Sequence, residues 1–129
     1  MTDRIGVTCA RVMAHGSSMR QVLLNLCINA RDAMGGIGTI RVAAHPLHTK
    51  ELVCTSCRQV VTGNFVELSV ADSGPGITPA VLDRMFEPFY TTKEVGKGSG
   101  MGLATVHGIV HEHGGHVVVD TAPGRGASF

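Results

Sequence analysis

Apolar residues recur at helical spacing between positions 19 and 34, and this pattern predicts an amphipathic helix. The apolar stripe consists of Val22, Leu23, Leu26, Ala30 and Ala33. Asn25, Asn29 and Asp32 recur at the same spacing, so they are expected to share a second, polar face of the helix. A glycine pair at 35–36 predicts the C-cap, and the residues at 16–18 predict a turn with a hydroxyl N-cap.

Alternating apolar and polar residues predict strands over residues 8–13, 39–44 and 65–71. The second and third strands are expected to pair in antiparallel fashion, joined by a long excursion over residues 45–64. Connections of this length are uncommon unless they are functional, disordered or held in place.

Two more helices are predicted in the second half of the chain. Thr78-Pro79 opens a short helix that runs to Met85, and an aromatic cluster at 86–90 is expected to pack against the core. The apolar spacing that starts at Leu103 predicts an amphipathic helix, which ends at the glycine pair 114–115.

The C-terminal segment predicts two strands and a turn. Residues 116–120 form the first strand, residues 122–126 the turn, and a last strand starts at 127 and is expected to be cut short at Phe129. The length predicts a single domain over residues 1–129, which is long enough for one core and too short for two.

Composition and charge exclude several classes of protein. The chain is 43% hydrophobic and 16% charged, as expected of a globular and not a disordered protein. A formal net charge of +1 gives no support for a nucleic-acid or anionic-membrane partner. Because no apolar run approaches the roughly 20 residues of a membrane span, we expect a cytoplasmic domain, whose parent protein could be anchored elsewhere.

The stretch from Gly96 to Gly102 (GKGSGMG) is the first candidate for ligand chemistry. Its glycines let the backbone approach a ligand closely, and the helix that follows supplies unpaired N–H groups and a positive dipole end. This combination is suited to binding a phosphate. The stretch is neither a Walker A loop nor the dinucleotide-binding fingerprint, because its spacing differs from both.

Two further polar features accompany the glycine stretch. Residues 72–77 (DSGPGI) predict a rigid turn that carries one carboxylate, Asp72, at the end of a strand. The alternative is a turn whose aspartate bonds only its own backbone. The polar row on the first helix offers oxygen donors of the kind that hard cations accept, and its alternative is a solvated face.

The excursion contains His45, His48, Cys54 and Cys57, which are the donors of a Cys₂His₂ zinc site. The C-x₂-C spacing fits such a site, and a metal would order the excursion. The H-x₂-H spacing is tighter than usual and the total span is short, which favours the alternative of a loop with two reduced thiols or a disulfide.

Four segments occur in an order that resembles the catalytic and ATP-binding domain of bacterial two-component sensor histidine kinases. Residues 21–34 (QVLLNLCINARDAM) resemble the N box of that family, and residues 72–77 look like its G1 box. Residues 85–89 (MFEPF) are similar to the F box, and residues 98–103 to the G2 box. The resemblance covers the chain from about Ser18 to Phe129.

The resemblance implies the Bergerat ATP-binding fold, which DNA gyrase, MutL and the large heat-shock chaperones share. This fold belongs to the α+β class. It is a two-layer α/β sandwich, with a mixed, mostly antiparallel sheet covered on one face by about three helices. In it, Asn29 would coordinate the Mg²⁺ that bridges the ATP phosphates, with Asn25 beside it. Asp72 would accept a hydrogen bond from the adenine amino group, and Ser128 would place a hydroxyl near that aspartate.

The glycines of these segments are implied to bring the backbone close to the nucleotide. Those at the base are Gly74 and Gly76, and those of the ATP lid are Gly98, Gly100 and Gly102. Lys93 and Lys97 would neutralise phosphate charge from the lid. The other ATP-binding positions that the resemblance implies are Asp32, Ile77, Phe89, Thr92, Met101 and Leu103.

The expected reaction is transfer of the γ-phosphoryl group to a histidine on a separate phosphoacceptor domain, and indirectly to a response regulator. Hydrolases of the superfamily place a glutamate where this chain has Asn25, and a carboxamide cannot act as a general base. The alternatives are a non-catalytic nucleotide-binding module and, disfavoured by Asn25, a gyrase- or MutL-type ATPase. His111-Glu112 imitates an acceptor pair but is interpreted as a surface position.

Overall fold

The computed structural model describes residues 16–90 and 102–129. In chain order the elements are α1 (Gly16–Ala33), β1 (Ile40–Val53), β2 (Val60–Asp72), α2 (Pro79–Leu82), α3 (Gly102–Glu112), β3 (Asp120–Thr121) and β4 (Ala127–Ser128). The predicted α+β class is confirmed, with one four-stranded sheet whose described strand pairs are all antiparallel. The strand predicted over residues 8–13 lies outside the described residues.

α1 presents the predicted apolar stripe to the core but begins earlier than predicted. Residues 16–18 are helical and do not form the predicted turn. The first N–H groups of a helix have no partner within it, so residues with low helix propensity, such as glycine and serine, are accommodated in the first turn. The C-cap is confirmed: Gly35 has a φ of 66°, and the Gly36 N–H bonds to the carbonyl of Arg31 over 3.0 Å.

β1 and β2 form a hairpin much longer than the two short strands predicted. Most of the excursion over residues 45–64 is itself paired, from Ile40 opposite Asp72 to Val53 opposite Val60. A register shift between Thr49 and Leu52 breaks the alternation along β1. Because of this irregularity, the alternation of apolar and polar residues does not extend along the whole of β1, and the prediction of the strand ended too early.

The sheet has the strand order β1-β2-β4-β3, with α1 packed on β1 and β2 and α3 packed on α1. Of the strand predicted at 116–120, only Asp120 is in a strand, β3, which continues to Thr121. The core between sheet and helices consists of Val22, Leu26, Val70, Val106 and Val117. No helix within the described residues is long and apolar enough to cross a membrane.

α2 is short and opens as predicted, with Thr78 as N-cap and a proline in its first turn. The aromatic cluster that follows is only partly as predicted. Phe86 packs against the core, but Phe89 is 76% exposed, and the Tyr90 ring lies under the Arg84 guanidinium at 4.6 Å. Phe89 also has a φ of 67°, in the left-handed region that residues with a side chain rarely adopt.

Candidate functional site

The polar row of α1 faces the start of α3. The Asn25 amide donates a hydrogen bond to the backbone carbonyl of Gly102 over 3.3 Å, and its oxygen accepts one from Gln21 over 3.1 Å. Asn29 lies one turn further along α1, and a Cβ placed on Gly102 would stand 3.7 Å from its amide nitrogen. Both carboxamides are therefore held beside the first N–H groups and the positive dipole end of α3.

Asp72 is the last residue of β2 and is half-buried. Its Oδ1 accepts hydrogen bonds from the backbone N–H of Gly74 over 2.9 Å and of Ala127 over 3.3 Å. Among the described residues both of its hydrogen bonds are accepted by Oδ1, which leaves Oδ2 as an acceptor for a ligand. The carboxylate bonds its own turn, as the alternative interpretation held, and still offers a second oxygen.

Close backbone packing fixes the turn around Asp72. Gly126 has a φ of 74°, and a Cβ on it would collide with the backbone oxygen of Asp72. Gly76 has a φ of 84°, and a Cβ there would collide with the carbonyl of Ala122. Both positions therefore require glycine. A Cβ on Gly74 would stand 3.0 Å from Asp72 Oδ1, so this glycine also lies close to protein atoms. The approach of Gly74 and Gly76 to a nucleotide stays a prediction.

The hydroxyl beside this turn belongs to Thr121, which the sequence analysis missed. Thr121 Oγ1 accepts from the Ile77 N–H over 3.0 Å and donates to the Gly126 carbonyl over 2.8 Å. The register sets Ala127, and not Ser128, opposite Asp72. Because neighbouring strand residues face opposite sides of a sheet, Ser128 lies on the other face from Asp72, which corrects its expected position.

The structure describes some of the other residues that were predicted to bind ATP. Asp32 is exposed and pairs with Arg31 over 3.3 Å, while Leu103 packs on the core. Phe89 is exposed, as described above. The other predicted positions lie outside the described residues: Thr92, Lys93, Lys97, Gly98, Gly100 and Met101.

The structure does not bring His45 and His48 to the two thiols, so the ligand set expected for zinc is corrected. Both histidines face their cross-strand partners on the hairpin: His45 Nε2 lies 2.8 Å from a Glu67 carboxylate oxygen, and His48 Nδ1 lies 2.7 Å from the Asn64 side-chain oxygen. Strand pairing places them along β1, while Cys54 and Cys57 lie in the turn beyond it.

Two other histidines meet the thiols, and we call the group of Cys54, Cys57, His111 and His116 the Cys/His cluster. His111 is half-buried, which corrects its interpretation as a surface position. The signal in the sequence was the H-x₄-H spacing of His111 and His116, which is an ordinary zinc-ligand spacing.

Hydrogen bonds make the Cys54 thiol unusually acidic. Burial opposes its ionisation, but bonds from the Ser56 hydroxyl and from the backbone of Cys57 and Val117 outweigh that effect and lower the pKa of Cys54 to about 5. Burial and the neighbouring Cys54 charge raise the pKa of Cys57.

Comparison with known proteins decides the family. A model of the family described as "Histidine kinase-, DNA gyrase B-, and HSP90-like ATPase" matches residues 14–129. The chain belongs to this ATPase family. The predicted membership is thus confirmed, and the ATPase domain carries the fold that the family resemblance implied.

Curated relatives of the ATPase domain are sensor kinases. It is 40% identical over 118 residues to the sensor kinase CckA of Brucella abortus, covering 92% of this chain and 12% of that protein. It is 39% identical over 122 residues to the sensor histidine kinase ZraS of Escherichia coli, covering 95% of this chain and 23% of that protein. The chain thus spans less than a quarter of the length of either relative.

Solved structures similar to the ATPase domain are histidine kinases. The match with the nucleotide-free catalytic domain of histidine kinase ThkA covers 92% of this chain and 66% of the ThkA chain, with a TM-score of 0.67 and 31% identity. The mycobacterial sensor histidine kinase MprB matches 91% and 70%, with a TM-score of 0.66 and 28% identity.

Proteins of this family bind ATP, typically with Mg²⁺, and the residues beside α3 fit that ion. Mg²⁺ prefers oxygen donors, usually one or two from the protein with water and substrate phosphate as the others. Asn29 supplies such an oxygen next to the helix start, where phosphate is favoured. The Asn25 oxygen already accepts from Gln21, so Asn29 is the better placed of the two.

Proposed function

We propose that this ATPase domain binds ATP with Mg²⁺ and transfers the γ-phosphoryl group to a histidine on a separate phosphoacceptor domain in two-component signalling. The observation that carries the proposal is the position of the Asn29 amide beside the first residue of α3. The helix start attracts phosphate, and when bound at the Asn29 oxygen Mg²⁺ would neutralise phosphate charge.

Asp72 supports adenine recognition. Its Oδ1 is held by two backbone N–H groups, so Oδ2 has a fixed direction and can accept from an amino group. Adenine carries an amino group at C6, whereas guanine carries an oxygen there, which a carboxylate would repel. A rigid, singly available carboxylate oxygen therefore favours ATP over GTP.

Asn25 favours phosphoryl transfer over hydrolysis. Its amide nitrogen bonds the Gly102 carbonyl, and a carboxamide lacks the basicity needed to activate water. In the proposed reaction the acceptor imidazole nitrogen bonds the γ phosphorus as the bond to the β–γ bridging oxygen breaks and ADP leaves. The domain contributes positioning and charge neutralisation, which dominate catalysis of this reaction.

An isosteric substitution tests the base-binding half of the proposal. Asp72→Asn keeps an oxygen for Gly74 and Ala127 but turns the second position into a donor that faces the adenine amino group. We expect ATP affinity, measured by calorimetry, to fall about 10- to 100-fold. Asp83→Asn is the control, because Asp83 is exposed and pairs only with Arg58 in the described structure. Equal affinity in both variants would refute the role of Asp72.

The transfer half is tested by adding an isolated phosphoacceptor hairpin from a sensor kinase to the domain and radiolabelled Mg-ATP. We expect acid-labile phosphohistidine on the hairpin and none on this chain, with Asn29→Ala abolishing the label and the exposed Asn64→Ala retaining it. ATP binding without transfer to any hairpin tested would identify a non-catalytic module. Rapid hydrolysis by the domain alone, lost in Asn25→Ala, would identify a hydrolase.

A further inference from the structure

The Cys/His cluster brings together side chains from two distant parts of the chain. Cys54 and Cys57 come from the turn between β1 and β2, His111 comes from the last turn of α3, and His116 follows that helix. One candidate ligand atom from each of the four residues lies within 4.8 Å of the others. None of these residues takes part in the proposed ATP site.

The cluster is partly shielded from solvent. The side chain of Cys54 is buried, and the other three residues are half-buried. Cys54 Sγ lies 3.8 Å from His111 Nε2, and Cys57 Sγ lies 3.6 Å from His116 Nδ1. Each thiol thus faces one imidazole nitrogen, at a separation that a common metal ion would reduce only slightly.

Backbone groups orient the side chains of His111 and Cys54, which contact each other. His111 Nδ1 lies 2.9 Å from the carbonyl of His107, and since a carbonyl can only accept, Nδ1 carries the proton. Nε2 is then left with a free lone pair toward the thiol, which is the arrangement of a metal-ligating histidine. The Val117 N–H lies 3.4 Å from Cys54 Sγ, where it stabilises a thiolate.

The turn that carries the thiols is attached to the segment between α3 and β3 by other bonds. The Thr55 N–H bonds the Val117 carbonyl over 2.7 Å, and the Val119 N–H bonds the Thr55 hydroxyl over 2.9 Å. Arg58, next to Cys57, is held at a φ of 66°, which is unusual for a residue with a side chain. The geometry of the cluster is therefore fixed by the fold and does not depend on a flexible loop.

Both local spacings are those of zinc ligands. Cys54-x₂-Cys57 and His111-x₄-His116 each fall within the usual range for a structural Cys₂His₂ site. The two pairs are far apart in sequence, so the fold must bring them together. Two thiolates and two imidazoles favour zinc over magnesium or calcium, and four protein ligands would close the tetrahedron.

We propose that Cys54, Cys57, His111 and His116 bind one structural zinc ion, which joins the β1–β2 turn to the C-terminal end of α3. Zinc ligation requires each thiol to lose its proton, so that both sulfurs coordinate as thiolates. With all four positions filled by protein, the ion has no open site for a substrate and its role is structural.

The test is metal analysis of the full 129-residue chain, purified under reducing conditions without chelator. We expect one zinc per chain. After zinc removal, cobalt(II) alone should give the visible absorption of a tetrahedral site with thiolate charge transfer. Cys57→Ser and His116→Ala should each weaken zinc binding at least about 100-fold. The matched controls His45→Gln and His48→Gln should retain one zinc with unchanged affinity.

A rescue variant keeps the test informative if a ligand variant fails to fold. His116→Cys supplies a third thiolate, so it should retain zinc and strengthen the cobalt charge-transfer band, with an unchanged far-ultraviolet circular dichroism spectrum. Three results would overturn the proposal: no stoichiometric zinc in fully reduced protein, an octahedral cobalt spectrum, or a disulfide between Cys54 and Cys57 in zinc-saturated protein. Zinc binding that depends on His45 and His48 would overturn it as well.

Discussion

Two regions of the molecule, the turn around Asp72 and the Cys/His cluster, are built in different ways. The turn around Asp72 is held by backbone packing, with Gly76 and Gly126 each close to a carbonyl. In the Cys/His cluster, at the end of α3, four side chains converge. The first region leaves a carboxylate oxygen available, and the second turns its polar atoms toward one another.

This difference teaches what kind of ligand each region suits. A large ligand that must enter and leave needs polar groups that are rigid yet unoccupied, which glycine-mediated backbone packing provides. A single ion that stays needs converging ligands that exclude solvent, which half-buried side chains provide. The following predictions test this contrast, from the largest expected effect to the smallest.

Gly126→Ala should damage the Asp72 region most, because the added Cβ meets both a positive φ and the Asp72 carbonyl. We expect a loss of about 3–5 kcal/mol in the free energy of unfolding, measured with denaturant. Gly124→Ala is the matched control, since Gly124 has a φ of 79° but open space around it. It should lose only about 1 kcal/mol. Similar losses in the two variants would refute the role assigned to close packing.

Zinc removal should affect the other region alone. Free zinc at about 100 times its dissociation constant would stabilise the domain by roughly 2.7 kcal/mol. Hydrogen exchange should locate this loss of stability. We expect the amides of residues 54–59 to lose protection when zinc is chelated, while those of residues 72–77 keep it. Equal loss in both segments would mean that the two regions are not built independently.

Thr121→Val should loosen the Asp72 region without a steric clash. It leaves the Ile77 N–H and the Gly126 carbonyl without their shared hydroxyl. We expect about 1–2 kcal/mol of lost stability, with weaker ATP binding. Thr121→Ser keeps the hydroxyl and should remain near the parent in both measurements. A valine variant as stable as the serine variant would contradict this role.

Arg58→Gly should give the smallest effect, and it should be favourable. Glycine relieves the cost of a φ of 66°, while the exposed ion pair between Arg58 and Asp83 contributes little. We expect a gain of up to about 1 kcal/mol in thermal or chemical unfolding. Gln59→Gly, next to it, should instead lose about 0.5–1 kcal/mol. A loss of stability in both variants would contradict the idea that the positive φ of Arg58 destabilises the turn.

Local patterns were enough to predict the family and the fold class, both now confirmed. The α1 stripe and its glycine cap depend on residues close together in the chain, so they were visible in the sequence. The full extent of the hairpin was not, because the irregularity between Thr49 and Leu52 breaks the period. The roles of Asn29 and Asp72 in binding ATP stay predictions.

Positions set by register or by tertiary packing could not be predicted. The register of β2 and β4 sets Ala127 opposite Asp72, so Ser128, which the family resemblance implied, is not beside the aspartate, and the hydroxyl near the turn is that of Thr121. His45 and His48 were expected to join the thiols because all four residues lie in the same excursion. Packing of α3 and of the segment after it brought His111 and His116 there instead.

The contacts of α3 also fix how the helix is rotated about its own axis. Gly102 and His111 differ by nine positions, about two and a half turns, so they lie on opposite sides of the helix. Contacts at both ends then fix the azimuth of α3 as well as its tilt. The N–H groups at its start point in a set direction before any ligand arrives, so little orientational entropy remains to be lost when a phosphate binds.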